Sequence, residues 1–266
     1  MRIAHLSDVH TLEPRRAAYG WGVQFVSLGR TLDASGRLHK LERALDAAKK
    51  SGADHYVISG DLTEMGTEEQ FEAFASVLVA SGIDPVAVTL VPGNHDLYTE
   101  ANAWQKALRG PLRAFAHASA DAPGKVVDRG DLVLLPLDLT IYQSVARSGG
   151  HLTGDAETAL ARRLDDPAFR DKALVIVQHH PPFERPRLLQ WVDGLRNATR
   201  LMDLLAKSPR CHLLHGHLHH IVDRIIGLGK HRVFGAPAVV DDKEDRARVR
   251  IYDVRNGALE SVGLTV

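Results

Sequence analysis

Short apolar, β-branched runs alternate along the chain with segments whose apolar residues recur at helical spacing. The runs predict strands at 3–7, 55–59, 87–91, 132–137, 173–178, 212–215 and 232–235. A last pair, 248–254 and 259–266, flanks Asn256-Gly257. That dipeptide favours a tight hairpin turn, because both residues tolerate positive φ. Between the runs, Leu38, Leu41, Leu45 and Ala48 lie on one helical face, and so do Phe71, Phe74 and Leu78. Leu160 and Leu164 form a short stripe after a start near Asp155, and Leu201, Leu204 and Leu205 form another. Early strand–helix alternation predicts an α/β fold. The hairpins at 126–137 and at the end of the chain predict mixed rather than purely parallel sheets.

Five segments at the ends of predicted strands carry metal-binding side chains. They are Asp8-Val9-His10, Gly60-Asp61, Gly93-Asn94-His95-Asp96, His179-His180-Pro181-Pro182 and Gly216-His217-Leu218-His219. Each has an ordinary structural reading when taken alone. Asp8 could cap a turn beside a surface His10, and Asp61 could cap the helix that holds Phe71. Thr63 or Thr67 lies closer to that helix start and is the better cap. Gly60 lets the chain turn without a Cβ clash, and the carboxylate of Asp61 can bridge two cations. Asn94 can ligate through its carbonyl without adding negative charge. His95 is placed outside the ligand set as an acid, with Asp96 expected to orient it by accepting its other ring proton. Pro181-Pro182 stop the preceding strand. Either His179 or His180 could ligate, and His179 is favoured. His220 reads as a solvated loop histidine.

Together, Asp8, His10, Asp61, Asn94, His179, His217 and His219 make a nitrogen–oxygen ligand set for two ions that share Asp61. Such ligands without thiolate suit Mn, Fe, Zn or Co. Two such ions roughly 3.5–4 Å apart clamp the attacking and leaving oxygens of a phosphate ester and generate a hydroxide nucleophile.

Composition adds exclusions. Lysine plus arginine equals aspartate plus glutamate, at 33 each, which argues against a protein that holds long nucleic acid by charge. The 266 residues are read as one domain, 1–266. No apolar run approaches the ~20 residues of a membrane span. No signal peptide is evident, so the cytoplasm is the expected compartment. The single cysteine, Cys211, is expected buried at a strand start. The weakly periodic segment 11–37, with Arg15, Arg16, Tyr19, Trp21, Phe25 and Arg30, follows the first candidate ligands and is expected to overhang them.

The five segments resemble the ordered pattern D-x-H, GD, GNHD/E, H and GHxH of the calcineurin-like metallophosphoesterase superfamily. The resemblance spans Asp8 to His219, about four-fifths of the chain. It implies a four-layer αββα sandwich, two mixed sheets flanked by helices, with the site at the strand ends. It also implies that Asp8, His10, Asp61 and His219 bind one metal, that Asp61, Asn94, His179 and His217 bind the other, and that His95 is the catalytic histidine. The words Gly60-Asp61-Leu62-Thr63-Glu64-Met65-Gly66 and His179-His180-Pro181-Pro182 are similar to class III cyclic-nucleotide phosphodiesterases and glycerophosphodiesterases. So is the stretch from Trp191 to Asn197. The implied activity is hydrolysis of a small phosphodiester, with Asn94 and His95 meeting the substrate and a homodimer left open. The rival activities are a UDP-diacylglucosamine-type pyrophosphate hydrolase, a nuclease, and a non-catalytic binding scaffold. The chain departs from the narrower group at Thr11, in the length of 11–37, and around Phe234-Gly235-Ala236-Pro237.

Overall fold

Both faces of the long strands are apolar, and each face serves a different layer. Ile3, Val57 and Val91 point one way, while Ala4, Leu6, Tyr56, Ile58 and Leu90 point the other. The computed structural model describes residues 1–14, 19–27, 29–184, 186–208, 210–226, 231–242 and 247–265. In chain order the strands are β1 (Arg2–Leu6), β2 (His55–Ser59), β3 (Val88–Val91), β4 (Val127–Asp128), β5 (Leu132–Pro136), β6 (Gly150–His151), β7 (Ala173–Val177), β8 (Leu195–Arg196), β9 (Cys211–His215), β10 (Val222–Ile226), β11 (His231–Gly235), β12 (Val249–Arg255) and β13 (Ala258–Thr265). The helices are α1 (Trp21–Val26), α2 (Ala34–Lys50), α3 (Glu68–Ala80), α4 (Ala103–Arg109), α5 (Gly154–Leu164), α6 (Arg187–Asp193) and α7 (Ala198–Lys207).

One sheet has the order β13-β12-β1-β2-β3, and the other β10-β11-β9-β7-β5-β4. In the first, β1, β2 and β3 run parallel, and β12 and β13 add antiparallel strands. In the second, β11, β9, β7 and β5 run parallel between antiparallel edges β10 and β4. Three apolar clusters define the layers. Ile3, Val57 and Val91 meet Leu132, Leu134, Val175, Val177, Leu214 and Phe234 between the sheets. The outer face of the first sheet packs on Leu41 and Leu45 of α2, Phe71 and Phe74 of α3, and Trp104 of α4. The outer face of the second packs on Leu160 of α5 and on Leu201 and Leu205 of α7. The result is the αββα sandwich implied by the resemblance.

The helices start where their chemistry directs. Asp33 caps α2 by accepting from Gly36 N at 3.0 Å. Thr67, rather than Thr63, caps α3 by accepting from Gln70 N at 3.3 Å. Lys49 and Lys50 close α2, and Glu68 and Glu69 open α3, each matching the sign of the nearby helix dipole. The C-terminal strands turn at Asn256-Gly257 as expected. Cys211 is buried at the first position of β9. Among the described residues no helix is long and apolar enough to cross a membrane.

Candidate metal centre

All five segments lie just beyond the carboxyl ends of parallel strands. Asp8 follows β1, Asp61 follows β2 and Asn94 follows β3, while His179 follows β7 and His217 follows β9. The first three strands belong to one sheet and the last two to the other. Ligands in open α/β sheets collect at this end, and the sandwich brings two such ends together.

The loops leave their strands sharply. Asp8, His10, Asp61, His217 and His219 all have φ between 50° and 69°, the left-handed region, which costs a non-glycine residue about 1–2 kcal/mol. Asp and His enter it more readily than most residues. Interloop hydrogen bonds hold them there. Asp8 N donates to Gly60 O at 3.1 Å, Val9 N and His10 N both donate to Asp61 O at 2.9 Å, and Thr11 N donates to Leu62 O at 3.0 Å. From the other sheet, His217 N donates to the Asp8 carboxylate at 3.1 Å and Gly216 N to His179 O at 3.1 Å. A Cβ at Gly93 would overlap the backbone and carboxylate of Asp61, so this loop approaches its neighbour only as glycine.

Six of the seven side chains predicted from sequence meet in two sets in this space. The ligand atoms of Asp8, His10 and His219 lie within 4.8 Å of one another, and those of Asp61, His179 and His217 do the same. Asp61 stands between the two sets. Its Oδ2 is 3.2 Å from His179 Nε2 and 3.7 Å from His10 Nε2. The amide of Asn94 donates to Tyr98 Oη at 2.8 Å, which leaves its buried Oδ1 without a partner. Buried carbonyl oxygens are rarely left so, and a cation would satisfy this one. His179 Nδ1 donates to Ser59 O at 2.8 Å, turning Nε2 inward. The donors therefore fit two divalent ions of borderline character.

Electrostatics agree with that fit. Burial holds His10 and His217 well below the ordinary imidazole value, helped by Arg30 near one and His180 near the other. Both are neutral and offer lone pairs. Burial also opposes charge on His179, but Asp61 beside it raises the group to about 9. His219 is likewise raised, with Asp8 and Asp241 outweighing burial. In the metal-free protein, the neighbouring carboxylates favour a proton on these rings, where a bound cation would otherwise balance them. Burial pushes His180 down to about 3, and its Nε2 donates to Ser148 O at 2.8 Å. His180 thus ties down the 148–150 strand start. His220 is exposed, with Nδ1 on Leu218 O.

One expectation needs correction. Asp96 does not accept a proton from the His95 ring. Its two oxygens accept from Leu62 N, Thr63 N, Thr63 Oγ1 and Gly93 N at 2.7–3.1 Å. It pins the 93–96 turn to the loop that carries Asp61. The His95 ring instead donates from Nδ1 to the backbone oxygen of Glu64 at 2.8 Å, and Nε2 stands 4.0 Å from Asp61 Oδ2. A 3₁₀ turn over Asn94–Leu97 sends Asp96 away from that ring.

Glu64 was not singled out from sequence. Its carboxylate is fully buried and lies 3.5 Å from His10 Nδ1 and 3.8 Å from His95 Nδ1. Arg37 and Arg30 bind it, with Ser27 donating at 3.0 Å. Two guanidiniums already neutralise Glu64, so the His10–Glu64–His95 trio is a poor third cation site. Arg30, in segment 11–37, therefore reaches the back of the centre, as does Arg37 at its end, and Arg37 also donates to His10 O at 2.7 Å. Trp21 and Phe25 stack on each other and stay exposed. Arg15 and Arg16 lie outside the described residues. Tyr98 was likewise missed. The Thr-Glu that follows Gly60-Asp61-Leu62 was the only local signal for Glu64, and nothing local marked Tyr98.

An αββα sandwich whose strand ends gather imidazole and carboxylate groups around a central aspartate defines a metal-dependent hydrolase. Residues 1–220 match the calcineurin-like phosphoesterase family, and the chain belongs to that family. It is 32% identical over 208 residues to the 3',5'-cyclic adenosine monophosphate phosphodiesterase CpdA of Pseudomonas aeruginosa, covering 75% of this chain and 67% of that one. It is 26% identical over 223 residues to the glycerophosphodiester phosphodiesterase GpdQ of Enterobacter lignolyticus, covering 83% and 72%. A dimetal phosphatase from Danio rerio has the same fold at a TM-score of 0.63 and 13% identity, over 99% of this chain and 98% of that one.

Proposed function

We propose that this protein is a dinuclear-metal phosphodiesterase that hydrolyses a small phosphodiester, a cyclic nucleotide or a glycerophosphodiester. The observation that carries the reading is the position of Asp61, within 3.7 Å of ligand nitrogens from both sets. The names of the two relatives support the substrate class. Asp8, His10, Asp61 and His219 would hold one ion, and Asp61, Asn94, His179 and His217 the other. The donor set suits Mn, Fe, Zn or Co.

Bound metal would supply Lewis acidity and an activated water at neutral pH. The remaining work falls to the chain. Asn94, fixed by Tyr98, would offer its unpartnered carbonyl to the second ion. His95 has Nδ1 committed to Glu64 O, so Nε2 is the nitrogen that can meet substrate. A proton on Nε2 would stabilise charge on the phosphoryl oxygens or pass to the leaving alkoxide. The T-shaped contact with His10, 4.4 Å between ring centroids, holds the ring upright. Asp96 serves the loop and not the proton. The expected setting is the cytoplasm, with a homodimer to be tested by sedimentation.

The test is a substrate panel in the presence of Mn²⁺. It contains cyclic nucleotides, glycerophosphodiesters, bis-aryl phosphodiesters, phosphomonoesters and nucleotide-linked pyrophosphates. Turnover of a diester that Asn94→Ala abolishes is the expected result. Cleavage of monoesters alone overturns the diesterase reading.

A further inference from the structure

His219 is one of two candidate ligands, with His217, that are half-buried rather than buried. Its side chain is 24% exposed, against 0% for His10, 1% for His179 and 3% for Asp61. Packing alone does not fix its ring, so a polar partner has to. One face of the imidazole is turned to the centre, with Nε2 3.4 Å from Asp8 Oδ1 and 3.4 Å from His10 Nε2. The other nitrogen, Nδ1, lies 2.8 Å from Asp241 Oδ2.

Asp241 ends a 3₁₀ turn, Val239–Asp241, that follows β11 and returns to the first ligand loop. Val239 N donates to Ser7 O at 3.0 Å and Val240 N to Asp8 O at 3.1 Å, and Ala238 N donates to His219 O at 3.4 Å. Lys40 of α2 clasps the turn from outside, donating from Nζ to Val240 O at 2.6 Å. The backbone that presents Asp241 is thus tied to the loops of Asp8 and His219. The neighbouring Asp242 cannot substitute, because it is buried and bound to Arg43 at 2.9 Å. Asp241 also lies beyond residue 220, where the family match ends.

We propose that Asp241 is a positioning residue for one of the two ions: it accepts the Nδ1 proton of His219 and so aims the Nε2 lone pair at the site of Asp8 and His10. The inference rests on the metal-centre reading above. A carboxylate behind a ligating imidazole fixes its tautomer and raises its basicity, and loss of such a partner typically weakens metal binding 10–100-fold. The effect falls on one ion, because the His179 side of the centre draws its orientation from Ser59 and not from Asp241.

The experiment is a chelator-buffered Mn²⁺ titration of the full chain, read by calorimetry and by elemental analysis. It compares wild type with Asp241→Asn, Asp241→Ala and Asp241→Glu, and records Tm of each metal-free protein. The expected result has wild type binding two ions. The Asn and Ala variants lose roughly 10–100-fold affinity for one ion, and the Glu variant recovers part of it. The second ion is held as in wild type, and the metal-free Tm falls by no more than the loss of one partly exposed ion pair, about 1 kcal/mol or less, accounts for. Unchanged affinity for both ions in Asp241→Ala overturns the proposal. So does parallel weakening of both ions with a metal-free Tm lowered beyond that, which is the signature of a merely structural residue. A wild-type protein that binds fewer than two ions fails a different idea, the dinuclear centre itself.

Discussion

Asp96 offers the sharpest division between two roles for one side chain. Replacing it with asparagine keeps the size and removes one acceptor oxygen, together with the charge that remains on a carboxyl that burial and Asp61 raise to about 7. In the native loop, Oδ1 serves Thr63 N and Thr63 Oγ1, and Oδ2 serves Leu62 N and Gly93 N. Either orientation of the amide turns its own N–H groups toward at least one of these buried backbone donors. An unsatisfied buried donor costs about 1–3 kcal/mol, and the bonds that survive lose their charge assistance. A destabilisation of about 2–4 kcal/mol follows, which lowers Tm by roughly 4–8 °C for a domain of this size. The loops it joins carry Asp61 and Asn94, so metal content falls as well. Urea denaturation of the metal-free protein and elemental analysis of the reconstituted protein read both effects. An Asp96→Asn protein with wild-type stability and full metal content, but a depressed kcat, would return Asp96 to the role of orienting His95 and refute this account.

His95→Ala should retain both ions, because His95 belongs to neither ligand set, and should lose on the order of 10²-fold or more in kcat; turnover equal to wild type removes the ring from the mechanism. Metal binding should strengthen with pH. His179 titrates at about 9 in the metal-free protein because of Asp61, above its ordinary value, so its proton stabilises the metal-free fold fully below about 6.5 and less as pH rises through 9. A metal must displace that proton, so affinity should gain about tenfold per pH unit across this window and then level off. Mn²⁺ thermal shifts from pH 6.5 to 9.5 measure it, and a shift that is flat or shrinks with pH contradicts the assignment.

The strands were legible because sandwich strands buried on both faces are apolar at nearly every position, as in Leu132–Pro136 and Ala173–Val177. β10 was not, because two adjacent charges, Asp223 and Arg224, interrupt the apolar run of this edge strand. α4 was missed although Trp104 and Leu108 are buried at helical spacing; one short turn of periodicity is a weak signal. α6 buries none of its residues, so no core pattern marked it.

The candidate ligands were readable for a different reason. Imidazole and carboxylate chemistry is local, and a dipeptide such as Gly60-Asp61 or a word such as Gly216-His217-Leu218-His219 carries its own donor types and its own turn. The sequence by itself therefore determined which side chains could ligate and the order in which strands deliver them. Only the tertiary structure decided who stands behind them. The partners of Asp96, the burial of Glu64 between two arginines, and the contact of Asp241 with His219 arise where segments far apart in the chain meet. Their geometry is set by the packing of two sheets and the backbone bonds between loops, and no local pattern of residues encodes a distance across that interface.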